Sequence, residues 1–233
     1  MREVDEIIDG ALSEGRTWLM EPEAEEVCRL YGIPVARFRV AKSAEEAVRF
    51  AGEIGYPVAM KIVSPDVIHK TDAGGVVMNV EDGDQVSETY DKIIGNVRSH
   101  VADAKVSGIT IQEMAQTGTE VIIGAVKDPQ FGPSVMFGLG GILVDLLEDV
   151  SFRVVPLTER DAKAMIKEIK GYPLLTGYRG APPADVDSLV DIILKVSRLV
   201  DEHREIDELD LNPVFVYSEG AKVVDARIIL RKQ

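Results

Sequence analysis

Apolar residues recur along this chain with two different periods, and the switches between them divide it into elements. Ala24, Val27, Cys28 and Tyr31 fall at i, i+3, i+4 and i+7, the spacing of one helical face, and Gly32 stops that run. Ala36, Phe38 and Val40 then alternate as a strand. Ser43 with Glu46 three residues on has the form of a capping box. The helix it opens carries Ala47, Phe50, Ala51 and Ile54 on one face and ends at Gly55. The apolar run Pro57–Val63 reads as a strand with Lys61 embedded in it, and Val76–Val80 as another. A helix with Val86, Tyr90, Ile93 and Val97 inward completes a first lobe.

The second half opens with Ile109–Glu113, Glu120–Val126 and Ser134–Phe137, whose spacing predicts neighbouring antiparallel strands rather than a strand–helix–strand crossover. A helix bearing Ala162, Met165, Ile166 and Ile169 starts after Thr158. A long one from about Asp185 to His203 points Val186, Leu189, Val190, Ile193, Val196 and Val200 inward. Strands around Leu209–Leu211, Lys222–Asp225 and Ile228 close the chain. The shift in composition near Ala102–Gly108 predicts a hinge, giving lobes of about 16–105 and 106–233 within a single domain over 1–233. The class this predicts is mixed α+β with a mainly antiparallel second lobe, which argues against a doubly wound dinucleotide fold.

Composition narrows the chemistry. Of the 233 residues 45% are hydrophobic and 28% charged, the balance of a chain that buries a core. A formal net charge of -14 with no Lys/Arg run repels nucleic-acid phosphates and anionic membranes, so neither is expected as a partner. The single cysteine, Cys28, cannot form an intrachain disulfide, and its apolar helical register predicts a buried thiol. No apolar run approaches the ~20 residues of a membrane span, and the first residues hold no apolar signal core, so a cytoplasmic location is expected.

Chemistry concentrates in His69-Lys70-Thr71-Asp72-Ala73-Gly74-Gly75-Val76, between two strands, with Lys61 in the first of them. An imidazole nucleophile, two cations and a paired-glycine turn form a device for handling phosphate. His100 and His203 end helices and lack such a setting. The chain has no Gly-x-x-x-x-Gly-Lys-Ser/Thr loop, and Gly138-Leu139-Gly140-Gly141 does not complete a Gly-x-Gly-x-x-Gly fingerprint. That glycine stretch either exposes backbone N–H groups to an anion or turns a strand into a helix. Alternation puts Asp210 and Asn212 on one strand face, opposite Leu209, Leu211 and Val214, and a paired next strand brings Asp225 to them. Such oxygens suit Mg²⁺, which completes its shell with water and nucleotide phosphates. Glu113 ends a strand where a ribose or adenine edge could be read and Glu120 begins the next; by pattern alone they are two surface glutamates.

Taken in order, these segments resemble a family. They are Tyr56-Pro57-Val58-Ala59-Met60-Lys61, the His69–Val76 turn, Gln112-Glu113-Met114, Glu120 with Gly124-Ala125-Val126-Lys127-Asp128, Phe137–Gly141 and Asp210-Leu211-Asn212-Pro213. Together they resemble the ATP-grasp β subunits of ADP-forming acyl-CoA synthetases, near the archaeal acetate–CoA ligases (ADP-forming), with a more distant likeness to the succinyl-CoA synthetase β subunit. The resemblance covers nearly the whole chain. It implies an ATP-grasp fold of two lobes clasping ADP or ATP, with Lys61 and Lys70 on the phosphates, Glu113 and Met114 at the adenine hinge and Glu120 near the ribose. It also implies Mg²⁺ held by Asn212 and Asp225, a transient phosphohistidine at His69 steadied by Asp210, and a separate CoA-binding α subunit, two of each chain. Two other readings stay open at this point: an ATP-grasp carboxylate ligase that forms an acyl phosphate directly, and a non-catalytic ATP-grasp regulatory module.

Overall fold

The structure, a computed structural model, describes residues 2–67, 69–141, 149–180 and 182–231. It begins with two helices, α1 (Arg2–Ser13) and α2 (Glu21–Leu30). In α1 the residues Val4, Ile8 and Ala11 line one face, which is buried. The start of α2 is fixed by Glu23, whose carboxylate accepts the Met20 N–H at 2.7 Å and both ends of the Arg16 guanidinium fork at 2.7 and 2.9 Å.

Residues Ala36–Ala115 form the smaller of two compact units. Its elements are β1 (Phe38–Ala41), α3 (Ala44–Ile54), β2 (Val58–Val63), β3 (Val76–Val80), α4 (Gly83–His100) and β4 (Gly108–Glu113). The strands lie in the order β1-β4-β2-β3, each antiparallel to its neighbour. Val58, Met60 and Ile62 of β2 and Ile109 and Ile111 of β4 face Ala47, Ala51, Val86, Ile93 and Val97 in one core. Every residue of β2 is buried, so the strand is covered on both faces and its sequence runs apolar with little alternation.

Three expectations are corrected here. The strand 108–113 does not adjoin the strand that follows it in sequence. It pairs with β1 and β2, from Val58↔Glu113 to Val63↔Gly108. The division therefore falls between Ala115 and Gln116 instead of at 102–108, and residues 1–35 belong with the C-terminal part. The expected capping box at α3 is half formed. Ser43 Oγ accepts the Glu46 N–H at 3.2 Å, but the Glu46 carboxylate reaches past Ser43 to the Lys42 N–H at 2.8 Å.

The larger unit, Met1–Val35 with Gln116–Gln233, holds β5 (Thr119–Asp128), β6 (Gly132–Leu139), β7 (Val150–Val154), α5 (Glu159–Glu168), α6 (Tyr172–Leu175), α7 (Val186–Glu202), β8 (Ile206–Val216), β9 (Ala221–Val223) and β10 (Ala226–Leu230). Its sheet runs β10-β8-β5-β6-β7, antiparallel throughout, with β9 beside β8. Alternate residues Val121, Ile123, Val135, Phe137, Leu209 and Leu211 meet Met165 and Ile166 of α5 and Leu189, Ile193 and Val196 of α7 in a single core. Thr158 caps α5 in a complete capping box with Asp161, and Asp185 caps α7 through the Ser188 N–H. Among the described residues no helix is long and apolar enough to cross a membrane.

Candidate functional site

The candidate residues fall into two groups, one in each unit. In the smaller unit Lys61 sits in mid-β2, paired with Val76 on β3 and Thr110 on β4, and it is buried. Met60 and Ile62 on either side point into the helix-covered core, which fixes Lys61 on the opposite face. The segment after β2 carries His69, exposed to solvent, and Lys70, partly so. A turn follows at once. The Ala73, Gly74 and Gly75 N–H groups donate to the carbonyls of His69, Thr71 and Lys70 at 3.2, 3.0 and 2.7 Å. Gly74 has φ +62°, and a Cβ there would stand 2.7 Å from Asn96 Nδ2, the group that donates to the Gly74 carbonyl at 3.1 Å. Only glycine meets both demands, so the paired glycines serve the return of the chain into β3.

Glu113 ends β4 and Met114 follows it, at the edge of the unit. The Glu113 carboxylate, expected to read a ribose or adenine edge, is held by Arg37. One oxygen accepts the Arg37 backbone N–H at 2.8 Å and the other its Nε at 3.0 Å. Arg37 also donates through Nη2 to the Ile54 carbonyl at 2.8 Å. Glu113 therefore fixes the end of β4 against Arg37, its own N–H donating to the Arg37 carbonyl at 2.9 Å. Sequence reasoning missed Arg37, and no periodicity or motif marks it.

In the larger unit Glu120 lies near the start of β5, its carbonyl accepting the Gly140 N–H at 2.8 Å. A Cβ at Gly140 would stand 2.7 Å from Glu120 Cγ. At Gly140 the N–H is spent on the Glu120 carbonyl and not open to an anion, and the missing side chain makes room for that residue. The 142–148 stretch lies outside the described residues.

On β8 the expected alternation holds. Leu209, Leu211 and Val214 are buried, while Asp210 and Asn212 lie half-buried on the other face. Asp210 stands across from Gly124 on β5 and Arg227 on β10. Burial pushes its carboxyl above the ordinary aspartate range, Arg227 opposing and Glu208 adding to the shift. Asp225, expected on the next strand, lies instead in the link between β9 and β10; the Asn212 N–H donates to its carbonyl at 3.2 Å, which brings the two residues side by side. An amide oxygen and a carboxylate are hard donors that fit Mg²⁺. Two protein oxygens suit an ion that completes its shell with water and phosphate.

The residues set aside by sequence lie apart. Cys28 is fully buried, its thiol pushed up to about 12 chiefly by burial, and it is a packing residue. The buried His203 ring has Nδ1 3.4 Å from an Asp5 oxygen and stands edge-on to Tyr31, and burial lowers its pKa. It ties α1 to the end of α7.

With this geometry in hand, comparison with known proteins defines the class. The profile of the ATP-grasp domain matches residues 10–230, and the chain belongs to the ATP-grasp family. Within it the chain groups with the β subunits of the ADP-forming acetate–CoA ligases. It is 55% identical over 225 residues, 97% of each chain, to the acetate–CoA ligase (ADP-forming) I subunit beta of Pyrococcus furiosus. Two solved structures of the acetyl-coenzyme A synthetase 1 of Ca. Korarchaeum cryptofilum are similar to it along 98% of this chain and 100% of theirs. One, with a TM-score of 0.93 and 51% identity, is in complex with coenzyme A and acetyl-coenzyme A and has a phosphorylated phosphohistidine segment. The other, with a TM-score of 0.88 and 49% identity, is in complex with coenzyme A and Mg-AMPPCP, its phosphohistidine segment pointing towards the nucleotide binding site.

Proposed function

We propose that this chain is the nucleotide-binding β subunit of an ADP-forming acyl-CoA synthetase, with acetyl-CoA as the acyl donor. The overall reaction is acyl-CoA + phosphate + ADP ⇌ carboxylic acid + CoA + ATP. The observation that carries the reading is the 55% identity to the Pyrococcus furiosus β subunit over 97% of both chains, too complete for a shared fold alone. The partner is a CoA-binding α subunit, two of each chain making the enzyme, and the reagents ADP, phosphate and CoA belong to the cytoplasm.

The chain's own steps are two phosphoryl transfers. A ring nitrogen of His69 attacks a phosphohistidine of the α subunit; the P–N bond there breaks as a P–N bond to His69 forms. A terminal oxygen of ADP then attacks that phosphorus, the second P–N bond breaks, and the imidazole leaves neutral with ATP formed. An imidazole is suited to this because its neutral form is both nucleophile and leaving group. The exposure of His69 and the turn-forming residues that follow it support a segment that presents the ring to two sites. The two orientations of the phosphohistidine segment in the related synthetase support the same reading.

Lys61 and Lys70 neutralise phosphate oxygens, and the backbone of Glu113 and Met114 borders the adenine, with Glu120 beside the ribose. Asp210 accepts the N–H of the second ring nitrogen of phosphorylated His69, holding the ring in one tautomer. Asn212 and Asp225 hold Mg²⁺, which when bound lowers the charge repulsion between the diphosphate and the incoming phosphoryl group.

The test is reconstitution. Mixed with a CoA-binding α subunit of an ADP-forming acetate–CoA ligase, the chain should form ATP from acetyl-CoA, phosphate and Mg-ADP, and His69→Ala should lose that activity by at least about a thousandfold. Mg-ADP binding with no turnover in the mixture would instead favour a regulatory module, and undiminished turnover by His69→Ala a direct acyl-phosphate route.

A further inference from the structure

The smaller sheet has a second face. One face packs on α3 and α4 through Met60, Ile62, Ile109 and Ile111. The other carries a row that crosses all four strands, Val40 on β1, Thr110 on β4, Lys61 on β2 and Val76 on β3, each the register partner of the next. Side chains so paired rise from one face with Cβ atoms about 4.5–5.5 Å apart. Lys61 is 8% exposed and Thr110 1%.

Thr110 Oγ1 is closed off from water and has no hydrogen-bond partner among the described residues. Buried hydroxyls are almost always paired, and leaving one unpaired is costly. A β-branched residue suits this strand position, but valine would suit it as well without a polar atom, so the hydroxyl itself needs a reason. Its direct cross-strand neighbours are a valine and a lysine. Neither side chain has an acceptor: valine has no polar atom, and an ammonium only donates. The partner this hydroxyl lacks is therefore an acceptor, next to a cation. An oxygen of an anion drawn to that cation is such an acceptor.

We propose that Thr110 is a nucleotide contact: its hydroxyl donates a hydrogen bond to an oxygen of the ADP or ATP that Lys61 holds. This rests on the nucleotide-binding reading given above. Lys61 and Thr110 are register partners, so a nucleotide oxygen held at the ammonium lies on the same sheet face as the neighbouring hydroxyl. The unmade Thr110 bond of the ligand-free chain then adds to the preference for the bound state.

The experiment compares the full-length wild type with Thr110→Val, which keeps the shape, and Thr110→Ser, which keeps the hydroxyl. Titration calorimetry with Mg-ADP should give Thr110→Val a Kd about 5–10-fold weaker, the range of one neutral hydrogen bond, and Thr110→Ser one within about 2-fold of wild type. Thermal unfolding separates a binding role from a structural one. Without nucleotide Thr110→Val should melt no lower than wild type, because it loses no bond, while its upward shift with saturating Mg-ADP should be smaller. Wild-type affinity in Thr110→Val, or a lower melting temperature without nucleotide, overturns this inference and leaves the nucleotide reading standing. No Mg-ADP binding by the wild type overturns both.

Discussion

Asp210 and His69 show opposite ways for a side chain to be available. His69 is exposed and needs no change in its surroundings to meet a phosphoryl group. Asp210 is half-buried, and burial raises its carboxyl pKa against the pull of Arg227. The sign of the linkage follows. A carboxyl raised above its unfolded value makes the ionised form a burden on the fold, present above the folded pKa and relieved as pH falls through it. Asp210→Asn should therefore melt higher than wild type at pH 7, by roughly 1–3 °C for a chain of this length, with the gap closing on acidification. Scanning calorimetry at several pH values reads this directly. If Asp210 has the role proposed for it, accepting from the second ring nitrogen of phosphorylated His69, the same substitution should lower phosphoryl transfer by about 10²–10³-fold. A variant at once more stable and nearly inactive is the mark of a residue kept for chemistry.

At the scale of elements, the helices were the legible part. Their apolar faces recur every three to four residues, and Ser43, Thr158 and Asp185 announced their starts, as the caps of α3, α5 and α7 bear out. The α1 helix was not among the expected elements, although Val4, Ile8 and Ala11 have helical spacing. Strand pairing was the illegible part. Nothing local in Gly108–Glu113 says that its partners are β1 and β2, since register is a property of two segments and not of one. The joint between β7 and the α5–α6 turn was missed for a like reason. Asp149 accepts the N–H groups of Lys170 and Gly171, both at 2.7 Å, across some twenty residues of sequence. Asp149→Ala should lower unfolding free energy by about 2–4 kcal/mol in urea titration, and Asp149→Asn, which keeps one acceptor, by clearly less.

For the whole molecule, the two units have separate cores, and the smaller one is continuous in sequence. A fragment of residues 36–115 should fold by itself, with a cooperative thermal transition and mixed α/β circular dichroism; a non-cooperative melt would show that its core depends on the rest of the chain. The candidate site was legible where chemistry and position coincide in one short segment, as at His69–Gly75 and Asp210–Asn212. It was not where a residue is placed by a segment distant in sequence, as Arg37 is beside Glu113 and Thr110 beside Lys61. The acidic surface, with its net charge of -14, fits a protein whose partners are a small anion held at a few lysines and another protein chain, not a polyanion.

The central claim is that His69 carries phosphate to and from the nucleotide. Incubating the purified chain with Mg-ATP labelled at the terminal phosphate, quenching rapidly and mapping the label tests it most directly. The account predicts acid-labile, base-stable label on His69, discharged by added Mg-ADP and absent from His69→Ala. Label elsewhere, or normal turnover with an α subunit by a chain that never becomes labelled, would contradict it.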